Sequence, residues 1–532
     1  MIPVYRTRED RERTVLTLLS EAAAARAPVE ARWDLVTDYY EGRHHTQEEI
    51  AESCRQSGIP WIAACSPDVY MHVESQITPS FPDFTFRGRG ADDPEKARQR
   101  EYLVRYVADR QALRDQVPLH ERRCILCGTA VWKVFWDGDD VRVASVDPRA
   151  LFADPAADKP EDCEYMDYVY RLPRCAADRL YGADLAAMGL DAATLPPADA
   201  VPAGLSCVFD GTGDDTLPVV EHWYRDQDRV ACSLLVGGRE VRHIPDYWRT
   251  TGAGLLPFVF QYRVASGELW GRSDLEPALP LVDAVDRELA AAQLQSAFTG
   301  SDVILAEHDA FAQNPEQRPG AIWELKPGAI GRIRRLGGLG NAGNRLEMVE
   351  ALRGMIQDAV GNYDTSLGKE PSRMLSATGL AQLLERADQR RASKRTERLR
   401  AYSRLFRLID WTVLEFYDDG RVLRLGAQDG EPQLLRFSRD ALRDAGGYFP
   451  EVDCTVTAAD AMENSRAFTL SAIETLLAHN VTRENYPLLL CALRALDLED
   501  TEAVAAHFEA VFGSDAPGDS ENADKTAKEG ES

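Results

Sequence analysis

The sequence lacks any long apolar stretch. No run reaches about 18 consecutive apolar residues, the length that a helix needs to cross a bilayer, so no membrane-spanning helix is expected. The first ten residues, MIPVYRTRED, contain no apolar signal core, and export is not expected either. With 532 residues, 44% of them hydrophobic, the composition predicts a globular protein of about two to four domains.

Positive charge is also scarce. The chain has 61 Lys and Arg against 87 Asp and Glu, which gives a net charge of −26. DNA binding depends largely on cations that displace counterions from the phosphates. A sequence-wide affinity for nucleic acid is therefore not expected, and a surface of this sign repels polyanions.

The common catalytic motifs are absent. No GxxxxGK[ST] loop occurs, because Gly368-Lys369-Glu370 lacks the hydroxyl residue that would hold magnesium. Neither GxSxG nor HExxH is present. A literal GxGxxG spans residues 338–343, but three arginines lie in the strand-like segment before it, whereas a dinucleotide-binding strand is buried on both faces. We therefore expect a connector at this motif, no cofactor and no enzymatic activity.

The ten cysteines are scattered along the chain, as is usual for small buried apolar residues. His120, Cys124 and Cys127 form an H-x3-C-x2-C cluster that offers three zinc ligands. Structural zinc normally takes four ligands, and no matching pair follows. We expect a buried junction between a helix and a strand here, with metal binding as the weaker alternative. The adjacent His44 and His45 are expected to be exposed to solvent.

The first half of the chain mixes helical and strand patterns. Two β-rich runs, 130–137 and 141–146, flank Gly138-Asp139-Asp140 and predict a hairpin. The predicted class is α+β. Helices are expected within 9–56 and 94–120, and further strands near 165–170, 219–225 and 231–244.

The second half has a distinctive order of parts. Helical, β-like and loop patterns follow one another between residues 267 and 417. The order is a helix to about 298, a β-like insert at 303–336, a helix at 345–360, a polar loop at 362–377 and a long helix ending near 417.

The long helix is basic within an acidic chain. Between residues 386 and 407 it has nine Lys or Arg and two Asp or Glu. Arg386, Arg390, Lys394 and Arg398 recur every four residues and share one face. This face is either a solvated cationic surface or one that meets an acidic neighbour, such as another copy of the chain.

Four short motifs, taken in order, resemble the portal protein of tailed bacteriophages and prophages, which is the head-to-tail connector. The resemblance covers roughly residues 20–500. The motifs are GTAVWKV with WD at 128–137, VDP to FADP at 146–155, WGRSDLE at 270–276 and SATGL at 376–380.

The resemblance implies a multi-domain portal fold with a wing, a two-helix stem, a clip, a tunnel loop and a crown. Its parts would be the wing at 1–265, a stem helix at 266–300, the clip at 301–344, the second stem helix at 345–361, the tunnel loop at 362–377, the long helix and C-terminal wing at 378–460, a helical crown at 461–512 and a disordered acidic tail at 513–532.

The resemblance also implies a function. Such a protein is expected to form a ring of twelve subunits at the capsid vertex, assembled in the host cytoplasm, through which double-stranded DNA passes without sequence preference. Implied partners are the terminase large subunit, a head-tail adaptor and the capsid or scaffolding protein. The acidic net charge is consistent with a conduit that does not hold the polymer.

Three groups of residues become candidates for this function. Lys369 and Arg373 either touch phosphates in the tunnel or are ordinary surface charges. The clip arginines either dock a partner or protect an edge strand. The basic face of the long helix would lie between subunits. The tunnel residues are Leu367, Gly368, Lys369, Glu370, Pro371, Ser372, Arg373 and Met374, and the clip residues are Arg332, Arg334 and Arg335.

Two other classes of function stay open. One is a different ring or scaffold component of the virion, without a DNA channel. The other is a zinc- or nucleotide-dependent enzyme that uses the H-x3-C-x2-C cluster or the glycine motif. Adaptors are usually far shorter than this chain, so the order of parts favours the portal.

Overall fold

A computed structural model places most of the chain. It describes residues 5–57, 65–77, 80–89, 94–195, 216–299, 303–307, 310–312, 324–336, 343–361, 377–428, 431–444 and 446–457. Two units are distinguished, Met1–Pro79 with Phe84–Val456 and Ser80–Asp83 with Thr457–Ser532. The contacts discussed below lie within the first unit.

The described residues form a mixed α+β structure, as predicted. The helices are α1 (Arg8–Tyr40), α2 (Gln47–Ser57), α3 (Asp68–Gln76), α4 (Pro94–Arg110), α5 (Leu113–Cys127), α6 (Arg174–Ala187), α7 (Leu279–Thr299), α8 (Gly343–Val360), α9 (Ala377–Phe416) and α10 (Arg439–Leu442). The strands are β1 (Asp83–Gly88), β2 (Thr129–Trp136), β3 (Val141–Val146), β4 (Leu151–Ala153), β5 (Tyr165–Pro173), β6 (Thr216–Asp226), β7 (Arg229–Val236), β8 (Arg239–Ile244), β9 (Phe258–Tyr262), β10 (Val303–Ala306), β11 (Ile333–Leu336), β12 (Val422–Gln428), β13 (Glu431–Arg436) and β14 (Val452–Thr457).

Strands β4 to β8 form a five-stranded antiparallel sheet in sequence order. Alternate residues of a strand point to opposite faces, and here both faces are covered. Val220 and Tyr224 of β6 pack with Val15 and Leu19 of α1. Residues on the opposite face of β6 pack with α6, so this sheet is a central layer between helices.

A second sheet has the order β3-β2-β9, and its β2–β3 pair is the predicted hairpin. Strand β2 is buried from Thr129 to Val134. Trp132 on one face stacks on His120 of α5 at 4.1 Å and approaches Tyr402 of α9 at 6.3 Å between ring centroids. Lys133 on the other face binds Glu221 of the five-stranded sheet at 2.6 Å. The sheet therefore joins the long helix to the first half of the chain.

Helices α7 and α8 pack against each other and are joined through the β10–β11 hairpin, and we call α7 and α8 the helix pair. Val282 and Val285 of α7 are buried, as are Val349 and Ile356 of α8. A 3-10 turn, Glu276–Ala278, precedes α7. The predicted order of helix, β insert, helix and long helix is thus present in the described residues.

Candidate functional site at the root of the helix pair

Polar contacts of Asp274, Asp283, Asp286 and Lys394 join the helix pair to the rest of the chain, and we call this region the root. Asp274, just before α7, binds Arg263 of the segment after β9 through Oδ2 at 2.8 Å, and it also binds the Lys394 ammonium. Lys394 lies 3.5 Å from the carbonyl oxygen of Val360, the last residue of α8. Because Lys394 belongs to α9, its ammonium group links the start of α7 and the end of α8 to the long helix.

The charges at Asp274 hold it ionised. Burial alone would raise the pKa of this carboxyl, but the positive charges of Arg263 and Lys394 outweigh burial and lower the pKa to about 2. The carboxylate therefore persists under any ordinary condition, and the two cations remain neutralised.

Replacing Asp274 with Asn should reduce the amount by which the free energy of unfolding falls between pH 6 and pH 3. Because the folded pKa is depressed, the contribution is complete above the ordinary value near 3.8 and is lost as the pH falls through about 2. The linked free energy is roughly 2 kcal/mol in total, of which about 1 kcal/mol is lost by pH 3. Urea unfolding of both proteins at pH 6 and pH 3 measures it. Equal losses in wild type and Asp274→Asn would contradict this assignment.

Two further carboxylates of α7 lie at the root. Tyr39 of α1 donates its hydroxyl to Asp283. Asp286 is only 1% exposed; it binds His44 at 2.5 Å and accepts the Ser66 backbone N–H at 2.7 Å. Helix α8 is held by its own ion pair, in which Arg353 lies 3.3 Å from Asp68 at the start of α3. The root therefore relies on charged and hydrogen-bonded contacts on both helices.

The basic face of α9 meets acidic residues of its own chain at two of its four predicted positions. Lys394 binds Asp274, and Arg398 binds Glu121 of α5 at 2.8 Å. These carboxylates supply the compensation for like charge that the sequence requires. Arg386 and Arg390 lie on the same helix, but the structure does not describe their side chains. The predicted contact of this face with another copy of the chain stays a prediction.

The clip residues lie at the far end of the helix pair. Arg332 ends a 3-10 turn, while Arg334 and Arg335 lie in β11 opposite Leu305 and Ile304. The pairing of β10 with β11 is antiparallel. The glycine motif, of which only Gly343 is described, thus follows an antiparallel hairpin and not a strand of a parallel sheet.

Three regions named in the sequence analysis have no described residues. The tunnel residues 367–374 lie outside the described residues, as do the crown at 461–512 and the acidic tail at 513–532. Their assignments stay predictions.

The H-x3-C-x2-C cluster forms the expected buried junction between α5 and β2. His120 Nδ1 is 3.0 Å from the Ser145 hydroxyl, whereas Cys127 Sγ is 3.4 Å from the Arg149 guanidinium. Burial raises the pKa of Cys127 to about 12 and raises that of Cys124 further, so both thiols stay protonated at neutral pH. Zinc takes thiolates. Within the described ranges, no group of three or more His, Cys, Asp or Glu is arranged to hold a metal ion.

The burial of His44 is not visible in the sequence. We expected it to be exposed, and this is wrong, because its side chain is 0% exposed and sits between α1 and α7. The adjacent His45 is half-buried. No local pattern marks His44, since its partner Asp286 is 242 residues away.

The comparison with known families bears on the first half of the chain. Residues 20–255 match the model of the family described as phage P22-like portal protein. This part of the chain is thus similar to the phage portal proteins. The match spans less than half of the 532 residues and includes most of α1 and the whole five-stranded sheet, whereas the helix pair, its hairpin and α9 follow it.

The match supports a phage portal role for the chain in general terms. No curated protein matches the chain. Among the helices that the structure describes, none combines the length and the apolar character needed to cross a membrane.

Proposed function

We propose that this chain is the portal protein at a capsid vertex, a ring whose channel carries double-stranded DNA during packaging and ejection, with no enzymatic activity of its own. The observation that carries the proposal is the order of parts. A region that matches the portal family is followed by a helix, a β-hairpin, a second helix and a long helix, as the portal architecture requires.

In this proposal each element has a role. Helices α7 and α8 are the stem that surrounds the channel, and the β10–β11 hairpin is the clip. Arg332, Arg334 and Arg335 of the clip dock the terminase large subunit during packaging and a head-tail adaptor afterwards. Residues 367–374 form the tunnel loop, and the ring has twelve subunits and contacts the capsid or scaffolding protein.

Electrostatics favour a conduit over a DNA-binding protein. Each cation in contact with a phosphate releases counterions and adds affinity that movement must break again. The chain carries a net charge of −26, and twelve copies multiply it. A channel within such a ring repels the phosphate backbone, so the DNA slides through it without being held.

Helix α8 presents apolar side chains that the single chain leaves uncovered. Leu346 is 51% exposed, Met348 is 48% exposed and Met355 is 51% exposed. Met348 and Met355 are two turns apart and therefore lie on one face of the helix, beside the face through which α8 packs on α7. A second copy of the chain, arranged side by side in the ring, would cover this face.

The double variant Met348→Asp/Met355→Asp should not form rings. Two charges in a buried contact between subunits remain unpaired, and each costs several kcal/mol. Sedimentation velocity of wild type and variant measures the loss of the large species. Leu180→Asp is the matched control, because Leu180 on α6 is 53% exposed and lies outside the helix pair. Rings of normal size from the double variant would show that this face of α8 is not the contact between subunits.

A further inference from the structure

His44 lies between two hydrogen-bond acceptors. Its Nδ1 is 2.5 Å from Oδ2 of Asp286, and its Nε2 is 3.0 Å from the backbone carbonyl oxygen of Tyr39. Neither acceptor has a proton to give once Asp286 is ionised. A neutral imidazole has one N–H, whereas the imidazolium cation has two. Only the cation satisfies both contacts.

Asp286 needs a cationic partner. The carboxylate is 1% exposed, and its other oxygen accepts the Ser66 N–H. A buried carboxylate without a compensating charge is strongly disfavoured. The Tyr39 ring stacks on the His44 ring at 4.6 Å and shields it from water.

The other charged and titratable groups around His44 come from three elements. The α1 end contributes the Tyr39 hydroxyl and His45, and α7 contributes carboxylates and one exposed cation. The start of α3, two residues after Ser66, carries an ion pair. The groups on α7 are Asp283 and Arg287. Arg287 is 79% exposed and lies 3.9 Å from Asp283. The ion pair joins Asp68 to Arg353 of α8.

One carboxylate thereby holds both ends of a chain excursion. Residue 44 precedes α2 and residue 66 follows it, and both bind Asp286 of α7. We call the described residues between these two contacts, 45–57 and 65, the excursion. The described side chains of α2 are exposed or half-buried.

We propose that His44 is a buried imidazolium that acts as a pH-sensitive latch, holding the excursion to the first helix of the pair. In the protonated state the two contacts of Asp286 are complete. When the proton is lost, either the Tyr39 carbonyl or Asp286 loses its donor, and the excursion opens from α7. The latch does not depend on the proposed portal function.

The direction of the pH effect follows from the environment. Burial would lower the pKa of His44, but the hydrogen bond to Asp286 and its negative charge outweigh burial and raise the pKa above the ordinary 6.5. The latch therefore contributes fully below pH 6.5 and weakens as the pH rises through the raised pKa. In contrast, burial and the positive charge of Arg123 lower the pKa of His120, which stays neutral.

Hydrogen exchange followed by mass spectrometry tests the latch on the full chain. Exchange at several pH values from 6 to 9, corrected for the intrinsic rate, should show protection of a peptide containing Ser66 falling at least about tenfold. Peptides from β5 and β6 provide the internal reference and should not change. His44→Gln should lower the protection already at pH 6 and remove its pH dependence, whereas His45→Gln should behave as wild type.

A second variant guards against misfolding of His44→Gln. In Asp286→Asn the side-chain amide can accept from Ser66 and donate to a neutral His44, whose other nitrogen donates to Tyr39. Protection of the excursion should then persist from pH 6 to 9. The proposal is overturned if wild-type protection does not fall relative to the reference, or if Asp286→Asn keeps the wild-type pH dependence.

Discussion

Gly128→Ala is expected to leave little folded protein. Gly128 has φ +71°, and a Cβ at this position would lie 2.3 Å from the carbonyl carbon of Arg272 and 2.6 Å from the Ser273 nitrogen. Both are backbone atoms that cannot move aside as the tip of a side chain can. The left-handed conformation costs an alanine about 1–2 kcal/mol, and overpacking adds typically about 1–3 kcal/mol.

Thermal or urea unfolding of the soluble fraction measures the effect, which we expect to be about 2–5 kcal/mol. Gly189→Ala is the matched control, because Gly189 has φ +70° and a Cβ added there would meet nothing within 4 Å. The control carries the conformational cost without the clash. Equal stability of the two variants would show that the approach of residue 272 to residue 128 is not tight.

This close approach matters because it positions the root. Gly271 donates its N–H to the Thr129 hydroxyl at 2.8 Å, and the Ser273 hydroxyl donates to the Ile125 carbonyl oxygen at 2.6 Å. The turn is thereby fixed on the junction of α5 and β2, and Asp274 is its next residue. Displacing the turn would displace the carboxylate that binds Arg263 and Lys394.

Arg100→Met is expected to cost about 3–5 kcal/mol, because it leaves a buried charge without its partner. Arg100 of α4 is 0% exposed and Asp410 of α9 is 1% exposed. The guanidinium Nε is 3.0 Å and 3.1 Å from the two carboxylate oxygens, and Nη1 donates to the Pro450 carbonyl oxygen at 2.5 Å. Urea unfolding at pH 7 measures the loss.

Two comparisons separate the buried charge from lost packing. Arg404→Met removes a surface pair with Glu161, in which both side chains are about half exposed, and should cost less than about 1 kcal/mol. The double variant Arg100→Met/Asp410→Leu should recover much of the stability, because no charge is then left buried. A double variant no more stable than Arg100→Met would contradict the explanation by an unpaired charge.

The elements were predictable where the pattern is local. The hairpin at β2 and β3 has alternating β-rich residues and an Asp/Gly turn, and the structure pairs Val131 with Val146 as that pattern requires. The order of α7, hairpin, α8 and α9 was also predictable from the sequence, because each element carries its own periodicity or composition.

The root was not predictable, for a physical reason. Periodicity shows which residues are buried but not which distant residue meets them. Arg100 and Asp410 are 310 positions apart, and His44 and Asp286 are 242 apart. For the basic face of α9, too, the sequence does not identify the distant partner residues. Its spacing indicates a need for acidic partners, yet only the fold reveals that Asp274 and Glu121 supply them for Lys394 and Arg398.

The most direct test of the portal proposal is the assembly state of the purified full chain. Light scattering coupled to gel filtration gives the mass, and electron microscopy of the same peak gives the shape. The proposal predicts a ring with a central channel and a mass about twelve times 59.1 kDa. A chain that stays monomeric or dimeric at high concentration, or a closed particle without a channel, would contradict it.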